Sequence, residues 1–355
     1  MIAQHLPTDI DEIIDGLGDA VSRFAGKTIL ITGGMGFLGR YFTAVFERLN
    51  ETRFARPCRI LVLDNLITSR DRDARSADLT NGVFHKHDIT KPFEFDEPID
   101  FVLHVAGIAS PFYYRAYPLE TLEVATLGTK NMLEIARQNN ARLVFFSSSE
   151  IYGDPDAQHV PTPESYRGNV SCQGPRACYD ESKRVGETLC YVYHEQFGVH
   201  VNTIRPFNVF GPGMPETDYR VLPNFASRIV NRQRIQVYGS GNQTRTYCYV
   251  TDALTGFLKV LALGVPGEVY NVGTPDPEIS VLDLVSRIQG VLNCEVLHDL
   301  IEHPDSYPAD EPMRRCPDIR KARLQLGYEP SVKLDDGLRR YFDWAAGAYS
   351  SADSG

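Results

Sequence analysis

The sequence predicts an α/β fold built on a doubly wound parallel sheet that helices cover on both faces. Short apolar runs rich in β-branched residues alternate along the chain with longer stretches of helical periodicity. Continuous apolar strands are typical of a sheet buried on both faces, because neither face then needs polar residues. The first such run, residues 27–32, stops at a glycine cluster and leads directly into a helical pattern.

A phosphate-binding turn is predicted at this glycine cluster. Gly33, Gly36 and Gly39 let the chain turn tightly, let main-chain N–H groups approach a diphosphate and let the helix pack closely on its strand. The spacing alone also fits an ordinary glycine-rich turn. A second apolar run at 59–64 ends in Asp64, roughly 25 residues beyond Gly39. A carboxylate there accepts hydrogen bonds from ribose hydroxyls and repels a 2′-phosphate, so the pattern predicts a Rossmann-type domain that prefers NAD to NADP.

Composition narrows the class of protein further. The chain has 355 residues, of which 43% are hydrophobic and 23% charged, and this is typical of one large globular domain or two closely joined ones. A net charge of −10 argues against a nucleic-acid-binding or anionic-membrane surface. Seven cysteines without Cys-x-x-Cys spacing favour reduced thiols over disulfides or a metal site. We expect a cytoplasmic protein, since no apolar run could span a bilayer and acids interrupt any signal-peptide pattern: Asp9, Asp11, Glu12 and Asp15.

The remaining strands are predicted in chain order. Residues 83–89 and 99–107 fit a third and a fourth strand, residues 119–138 a helix, and residues 141–149 a fifth strand. Ligands of such sheets bind at the carboxyl ends of the strands. The candidate cofactor contacts therefore follow the strands and the glycine turn: Gly33, Gly36, Phe37, Leu38, Gly39, Asp64, Asn65, Asp88, Ile89, Ala106, Gly107 and Pro206.

The chain is predicted to begin with a helix and to contain a second, smaller and discontinuous domain. Residues 4–25 have apolar positions at helical spacing, with Asp9 or Asp11 as the cap of a packing or lid helix. Ser280 is predicted to cap a later helix. The predicted helical extension comprises residues 1–26, and the NAD-binding Rossmann domain comprises 27–217 and 240–277. The substrate domain comprises 218–239 and 278–349, and a tail follows at 350–355. Residues 247–252 and 268–273 are predicted to return to the main sheet as strands.

Two motifs predict an active site. Ser148 lies in a serine cluster at the end of the fifth strand, although such a cluster alone also fits turn chemistry. Tyr179 and Lys183 are four residues apart and share one face of a predicted helix. An ammonium group beside a phenol stabilises the phenolate, which predicts a Tyr179 pKa lowered toward neutrality and a base for an alcohol proton. Tyr179 and Lys183 are also candidate cofactor contacts.

With these motifs in order, the chain resembles the extended short-chain dehydrogenase/reductase family and, within it, the UDP-glucuronate decarboxylases. The resemblance covers residues 27–346 and is most specific at 148–155, 174–184 and 238–245. It implies tightly bound NAD and a homodimer formed through the helices near 119–138 and 179–197. The implied catalytic residues are Ser148, Glu150, Tyr179, Lys183 and Arg245, and the implied UDP-sugar contacts are Ser149, Asn208, Arg220, Tyr238, Arg245 and Arg315, of which Asn208 and Arg315 would bind the diphosphate.

The resemblance implies oxidation, decarboxylation and re-reduction of one sugar. Tyr179 would remove the O4 proton while hydride leaves C4, with Ser148 hydrogen-bonded to the same oxygen. The C4 ketone would then accept the electrons released with carbon dioxide. Glu150, or a water that it positions, would govern reprotonation at C5, and hydride return would give a pentose.

Other activities of the family differ at few positions. A 4,6-dehydratase has an Asp-Glu pair where this chain has Ser149-Glu150, and a 4-epimerase usually has a small residue in place of Glu150. Gly213, Ala125 and residues 108–115 depart from the decarboxylase pattern. A UDP-hexose or UDP-hexuronate 4-epimerase and a catalytically silent NAD-binding protein therefore stay as alternatives.

Overall fold

Fourteen strands occur in the part of the chain that the computed structural model describes, residues 5–68, 79–302 and 312–349. The strands are Thr28–Thr32 (β1), Arg59–Asp64 (β2), Gly82–Lys86 (β3), Phe101–His104 (β4), Arg142–Phe146 (β5), Val201–Pro206 (β6), Val209–Phe210 (β7), Ile235–Tyr238 (β8), Thr244–Arg245 (β9), Cys248–Tyr249 (β10), Val269–Val272 (β11), Ile279–Ser280 (β12), His298–Ile301 (β13) and Arg314–Arg315 (β14).

Seven of these strands form one parallel sheet in the order β11-β6-β5-β4-β1-β2-β3. The chain winds outward from β1 through β2 and β3, then returns to β4 on the other side of β1. This reversal confirms the predicted doubly wound Rossmann-type fold. It also opens a crevice between the carboxyl ends of β1 and β4, where such sheets bind their ligands.

Eleven α-helices occur in the same described residues. They are Pro7–Leu17 (α1), Phe37–Thr52 (α2), Pro111–Ala116 (α3), Pro118–Glu123 (α4), Thr129–Asn139 (α5), Ala177–Phe197 (α6), Val221–Val230 (α7), Val250–Leu263 (α8), Val281–Leu292 (α9), Arg320–Leu326 (α10) and Leu334–Ala348 (α11). The predicted helix at 119–138 is confirmed, with a π-helical turn at Val124–Gly128 between α4 and α5.

The apolar side chains of β1 show why both faces need helices. Ile29 and Ile31 belong to a core cluster that includes Phe42 of α2 and Phe257 of α8. Leu30, between them in sequence, belongs to a second cluster that includes Met132 of α5 and Tyr193 of α6. Successive strand residues point to opposite faces, so the continuous apolar run requires a packed layer on each side.

The N-terminal helix is a packing element. α1 packs against α2 and α8 and buries Ile10, Ile13, Ile14 and Leu17. Its predicted cap is wrong, because Pro7 is the first helical residue and Asp9 lies buried in the first turn. Proline favours this position since it has no N–H that needs a partner there. The cap predicted at Ser280 is confirmed as a capping box with Asp283.

One predicted strand of the main sheet is wrong. Residues 269–272 join β6 as expected, but β10 pairs with β7 in a separate two-stranded sheet and is followed at once by α8. The apolar run from Val250 continues through Leu263, and a buried run of that length fits a helix better than a strand. No helix of the described residues is both long and apolar enough to span a membrane.

Small sheets form the second region of the molecule. β9 lies between β12 and β14, and β8 pairs with β13. Residues 244–245, which the sequence division placed with the Rossmann domain, therefore pair with strands of the predicted substrate domain. The division itself stays a prediction, and the 350–355 tail lies outside the described residues.

Candidate active site

The glycine turn has the geometry that a bound diphosphate requires. Gly33 has φ +67°, and an added Cβ would lie 2.7 Å from the Ala106 Cα. A Cβ on Gly39 would lie 2.2 Å from the Gly33 carbonyl oxygen, so the helix start packs directly on the turn. At Gly36 the nearest atom would be that same oxygen at 3.3 Å, which leaves the other side open. The helix N-terminus at Phe37 thus presents main-chain N–H groups to an anion.

Asp64 is fixed at the end of β2 by the turn itself. Its Oδ2 accepts a hydrogen bond from the Met35 N–H at 2.9 Å, and its Oδ1 accepts one from the Leu66 N–H at 2.8 Å. Burial raises the pKa of Asp64, and these hydrogen bonds together with the Arg40 charge act in the opposite direction. Asn65 uses its side chain for a local turn, accepting from the Ile67 N–H at 3.0 Å.

The other candidate cofactor residues gather at the same edge of the sheet. Ile89 is buried against Gly128, and Asp88 accepts a hydrogen bond from the Thr90 N–H at 3.0 Å. The Ala106 N–H donates to the Thr32 hydroxyl at 3.2 Å. Phe37 and Leu38 lie in the first turn of α2, Gly107 adjoins Lys183, and Pro206 ends β6. The open diphosphate turn and the fixed Asp64 carboxylate fit NAD.

Ser148, Tyr179 and Lys183 meet at the end of β5. The Ser148 hydroxyl lies beside the Tyr179 hydroxyl and acts on its pKa, and the Tyr114 ring stacks on the Tyr179 ring with centroids 5.2 Å apart. Lys183 Nζ lies 5.8 Å from the Tyr179 ring centroid and donates to the Phe146 carbonyl oxygen at 2.8 Å. The predicted grouping of these three side chains is thus present.

The predicted direction of the Tyr179 pKa is wrong for this arrangement. Burial raises the pKa of Tyr179 to about 12, and the Ser148 hydrogen bond only partly opposes that effect. Burial also lowers the pKa of Lys183 to about 8. The lysine ammonium is directed at a main-chain carbonyl, so desolvation of the phenolate outweighs any stabilisation by Lys183.

Glu150 is held by two arginines from different parts of the fold. It lies in the 3₁₀ turn Ser149–Tyr152, where its N–H donates to Ser148 Oγ at 3.2 Å. Arg315 of β14 donates from Nη1 to Oε1 at 2.5 Å and from Nη2 to Oε2 at 2.6 Å. Arg176, just before α6, donates from Nη2 to the same Oε2. A bidentate and a further charge-assisted hydrogen bond fix the carboxylate in place.

The charges around Glu150 decide its protonation state. Burial alone would raise its pKa, but Arg315, Arg176 and Arg245 outweigh that effect and lower the pKa to about 2. Arg245 and Arg315 are register partners in neighbouring strands, and Arg245 is itself buried, with Nη1 donating to the Thr244 carbonyl at 2.8 Å. Glu150 is therefore a carboxylate throughout the neutral pH range.

Comparison with known proteins places this arrangement in a family. Residues 29–273 match the NAD dependent epimerase/dehydratase family. The chain belongs to that family. The match confirms the predicted resemblance to the extended short-chain dehydrogenases/reductases.

Within the epimerase/dehydratase family, the similar curated proteins include decarboxylases. The chain is 40% identical to UDP-glucuronic acid decarboxylase 1 of Xenopus tropicalis, over 88% of this chain and 71% of that protein. It is 37% identical to UDP-glucuronic acid decarboxylase 5 of Arabidopsis thaliana, over 87% of this chain and 86% of that one. Among solved structures, UDP-glucuronic acid 4-epimerase from Bacillus cereus in complex with UDP-glucuronic acid and NAD is 25% identical, with TM-score 0.74 over 91% of this chain and 100% of that one.

The substrate contacts implied by the family resemblance stay predictions, and the structure gives each of these side chains a present partner or position. Both terminal nitrogens of Arg315 donate to Glu150, and its diphosphate contact stays a prediction. Arg220 is paired with Asp218, with 2.5 Å between Nη2 and Oδ2, and its charge acts on Tyr179. Asn208 has φ +40° and donates from Nδ2 to the Thr246 carbonyl at 2.8 Å. Ser149 is buried beside Glu150, and Tyr238 is half-buried at the end of β8.

Several residues of the site were not predicted from the sequence. Arg176 and Asp180 are four residues apart, and this spacing was the available signal. Tyr114 lies within residues 108–115, which depart from the decarboxylase pattern. In the same segment, Phe112 contacts Tyr219 with ring centroids 5.0 Å apart, and both rings are largely exposed. No local pattern predicts the two ring contacts, Tyr114 with Tyr179 and Phe112 with Tyr219, since the partners lie far apart in the chain.

Proposed function

We propose that this protein is an NAD-dependent decarboxylase that converts UDP-glucuronate to UDP-xylose through a 4-keto intermediate. The observation that carries the proposal is Glu150, fixed as a carboxylate by Arg315 and Arg176 next to the Ser148–Tyr179 pair. The curated relatives named UDP-glucuronic acid decarboxylase support the same conclusion.

The reaction has three steps: oxidation at C4, loss of carbon dioxide with protonation at C5, and reduction at C4. NAD, when bound, supplies the acceptor for the C4 hydride and its cationic ring favours a tyrosine phenolate. Tyr179 removes the O4 proton, and Ser148 orients the same oxygen by a hydrogen bond. Tyr179, which now carries the O4 proton, and Ser148 then stabilise the enolate oxygen that forms when carbon dioxide leaves C5. After C5 is protonated, Tyr179 gives its proton back to O4 as the hydride returns to C4, and the product is the pentose.

Glu150 acts in the second step as an anion. A carboxyl group with a pKa of about 2 is not a proton donor at neutral pH. We therefore assign it to orienting the water that protonates C5, and not to donating that proton itself. Ser149 and Glu150 lack the acidic pair of a dehydratase, so the sugar has no acid in place to lose a hydroxyl group.

We further propose that the protein is a cytoplasmic homodimer. The outer surfaces of the α4 to α5 segment and of α6 expose large apolar side chains: Leu119, Leu127, Val185, Tyr191 and Phe197. Exposed apolar patches of this kind mark protein interfaces, and a second copy would bury them in a four-helix contact. Sedimentation at micromolar concentration tests this, and a monomer would contradict it. The seven free cysteines support a reducing compartment.

Incubation with NAD and UDP-glucuronate tests the function directly. Mass spectrometry should find a UDP-pentose and one carbon dioxide for each substrate consumed. A product that keeps its carboxylate would favour the 4-epimerase, the activity named for the Bacillus cereus neighbour on the same sugar nucleotide. The absence of any product, together with binding of NAD, would favour a silent NAD-binding protein.

A further inference from the structure

One arginine of the site bridges two acids. Arg176 immediately precedes α6, and its side chain is 8% exposed. Its Nε donates to Asp180 Oδ2 at 2.8 Å, while its Nη2 donates to Glu150 Oε2. A planar guanidinium offers both directions at once, which an ammonium group on a flexible stem does not.

The two arginines on Glu150 come from different parts of the fold. Arg315 belongs to β14 of the small sheets, whereas Arg176 adjoins the helix that carries Tyr179 and Lys183. The Arg176 contact therefore links Glu150 to the start of the helix that carries Tyr179. Movement of the small sheets would carry Arg315 with it, but it would leave the Arg176 contact in place.

Asp180 accepts the hydrogen bond from Arg176 Nε. Its side chain is 4% exposed, and its Oδ1 is buried without a hydrogen-bond partner among the described residues. A buried carboxylate with one free oxygen is costly unless its charge is compensated, and the adjacent guanidinium supplies that compensation. Burial raises the pKa of Asp180 to about 6, and the nearby Glu150 charge adds to that rise.

We propose that Arg176 is a positioning residue that orients Glu150 for the carbon–carbon cleavage step, with Asp180 as the anchor that fixes the direction of the Arg176 guanidinium. The inference rests on the proposed decarboxylase function. It predicts that Arg176 is needed for release of carbon dioxide and not for hydride transfer, because the Arg176 guanidinium donates to Glu150. The hydrogen bond from the Tyr179 N–H at 2.9 Å goes to the main-chain carbonyl of Arg176, which a substitution keeps.

The test compares Arg176→Gln and Arg176→Lys with Arg184→Gln as the matched control. Arg184 lies on the same helix. It donates to the carbonyls of Ile151 and Arg167 at 3.2 and 3.1 Å and forms an ion pair with Glu181 at 3.4 Å. The purified enzyme with NAD is mixed with UDP-glucuronate, and NADH absorbance and carbon dioxide are followed in one turnover. Rates are normalised to the fraction of enzyme that binds NAD.

We expect Arg176→Gln to slow carbon dioxide release about 30-fold or more while NADH forms within about 3-fold of the wild-type rate. Arg176→Lys should recover part of the loss, since it restores charge without the bridging geometry. Arg184→Gln should leave both rates within about 3-fold. Equal losses in both steps for Arg176→Gln, or no loss in either, would overturn the proposal.

The pH profile separates positioning of a charge from a general packing defect. Glu150 is faced by Arg315, Arg176 and Arg245, and removal of one cation raises the pKa of the remaining carboxylate. The acidic limb of carbon dioxide release should therefore move to higher pH in Arg176→Gln, by about one pH unit or more, and Asp180→Asn should shift it less. An unchanged limb in a folded variant would contradict the proposal. If the wild-type enzyme itself releases no carbon dioxide, the proposed function fails instead.

Discussion

The turn that fits the cofactor and the cluster around Glu150 are built in opposite ways. The turn consists of backbone from one continuous stretch, where Gly33 and Gly39 allow contacts that a Cβ would block. The cluster consists of charged side chains, and Glu150 is separated from its partner Arg315 by 165 positions in the chain. Local steric contacts determine the shape of the glycine turn. The cluster around Glu150 forms only when the small sheets pack against the Rossmann sheet.

This difference predicts that the two regions fail in different ways. Changes at the turn should weaken NAD binding and leave the chemistry of bound substrate alone. Changes in the cluster should preserve NAD binding and impair one step of the reaction. The Ser148, Tyr179 and Lys183 group lies between the two regions and is required by both halves of the reaction.

The largest effect is expected at this shared group. Tyr179→Phe removes the candidate base for O4 and keeps the stacking on Tyr114, so NADH formation and carbon dioxide release should both fall by about 10²-fold or more. Stopped-flow absorbance and carbon dioxide capture measure the two rates. Tyr191→Phe on the outer side of the same helix keeps the apolar ring that the proposed dimer contact would bury, so it serves as the control and should change neither rate. A Tyr179→Phe enzyme that still forms NADH at the wild-type rate would show that another group takes the proton.

A smaller effect is expected at the glycine turn, where a substitution should weaken NAD binding. In Gly39→Ala the new Cβ would lie 2.2 Å from the Gly33 carbonyl oxygen, so the turn must move, at a cost of about 1–3 kcal/mol. We expect the Kd for NAD to rise about tenfold or more in isothermal titration. Gly290→Ala in α9 is the matched control. A Cβ added at Gly290 would have no other described atom within 4 Å, and alanine favours helix interiors. Unchanged NAD binding in Gly39→Ala would contradict the assignment of the turn.

The preference for NAD over NADP is a further property of the turn region that the cluster around Glu150 should not affect. Asp64 is fixed by two main-chain N–H groups, and it should disfavour the 2′-phosphate of NADP. We expect NAD to bind about tenfold more tightly than NADP or better, and Asp64→Ser should narrow the difference. The ratio of the two Kd values measures this preference. Equal affinities in the wild-type protein would contradict the role assigned to Asp64.

Much of the cofactor region could be predicted from sequence, and much of the cluster could not. The strands, the glycine turn and Asp64 follow from local periodicity and from residues without Cβ, and those effects act over a few positions. The roles of Arg176 and Arg315 depend on which distant chain segment meets Glu150. The raised pKa of Tyr179 likewise depends on burial by the whole fold, which the Tyr-x-x-x-Lys spacing does not contain.

Asp9 shows how the number of cations sets the protonation of a buried acid. Glu150 has three arginines and a pKa of about 2. Asp9 is fully buried, with Tyr249 at 2.9 Å and Arg340 at 3.5 Å, and burial raises its pKa to about 6. A pKa raised on folding stabilises the protein at low pH, and this contribution is lost as the pH rises through about 6.

The free energy of unfolding of Asp9→Asn, relative to that of the wild-type protein, should therefore be lowest at pH 5 and should increase as the pH rises to 7.5. We expect a change of about 1–3 kcal/mol in the difference between the two free energies of unfolding. Urea titrations at several pH values measure it, with Asp19→Asn as an exposed control. A difference that does not change with pH would mean that Asp9 is not protonated near neutrality on folding.

The central claim is that hydride transfer and carbon–carbon cleavage depend on different side chains. A single turnover of Glu150→Gln with NAD and UDP-glucuronate tests it most directly, because glutamine keeps the shape of glutamate and removes its charge. NADH should form at close to the wild-type rate and persist, while carbon dioxide release slows by about 10²-fold. Release of carbon dioxide at the wild-type rate would contradict the claim, and the 4-epimerase interpretation would gain support because Glu150 would then have no role in decarboxylation.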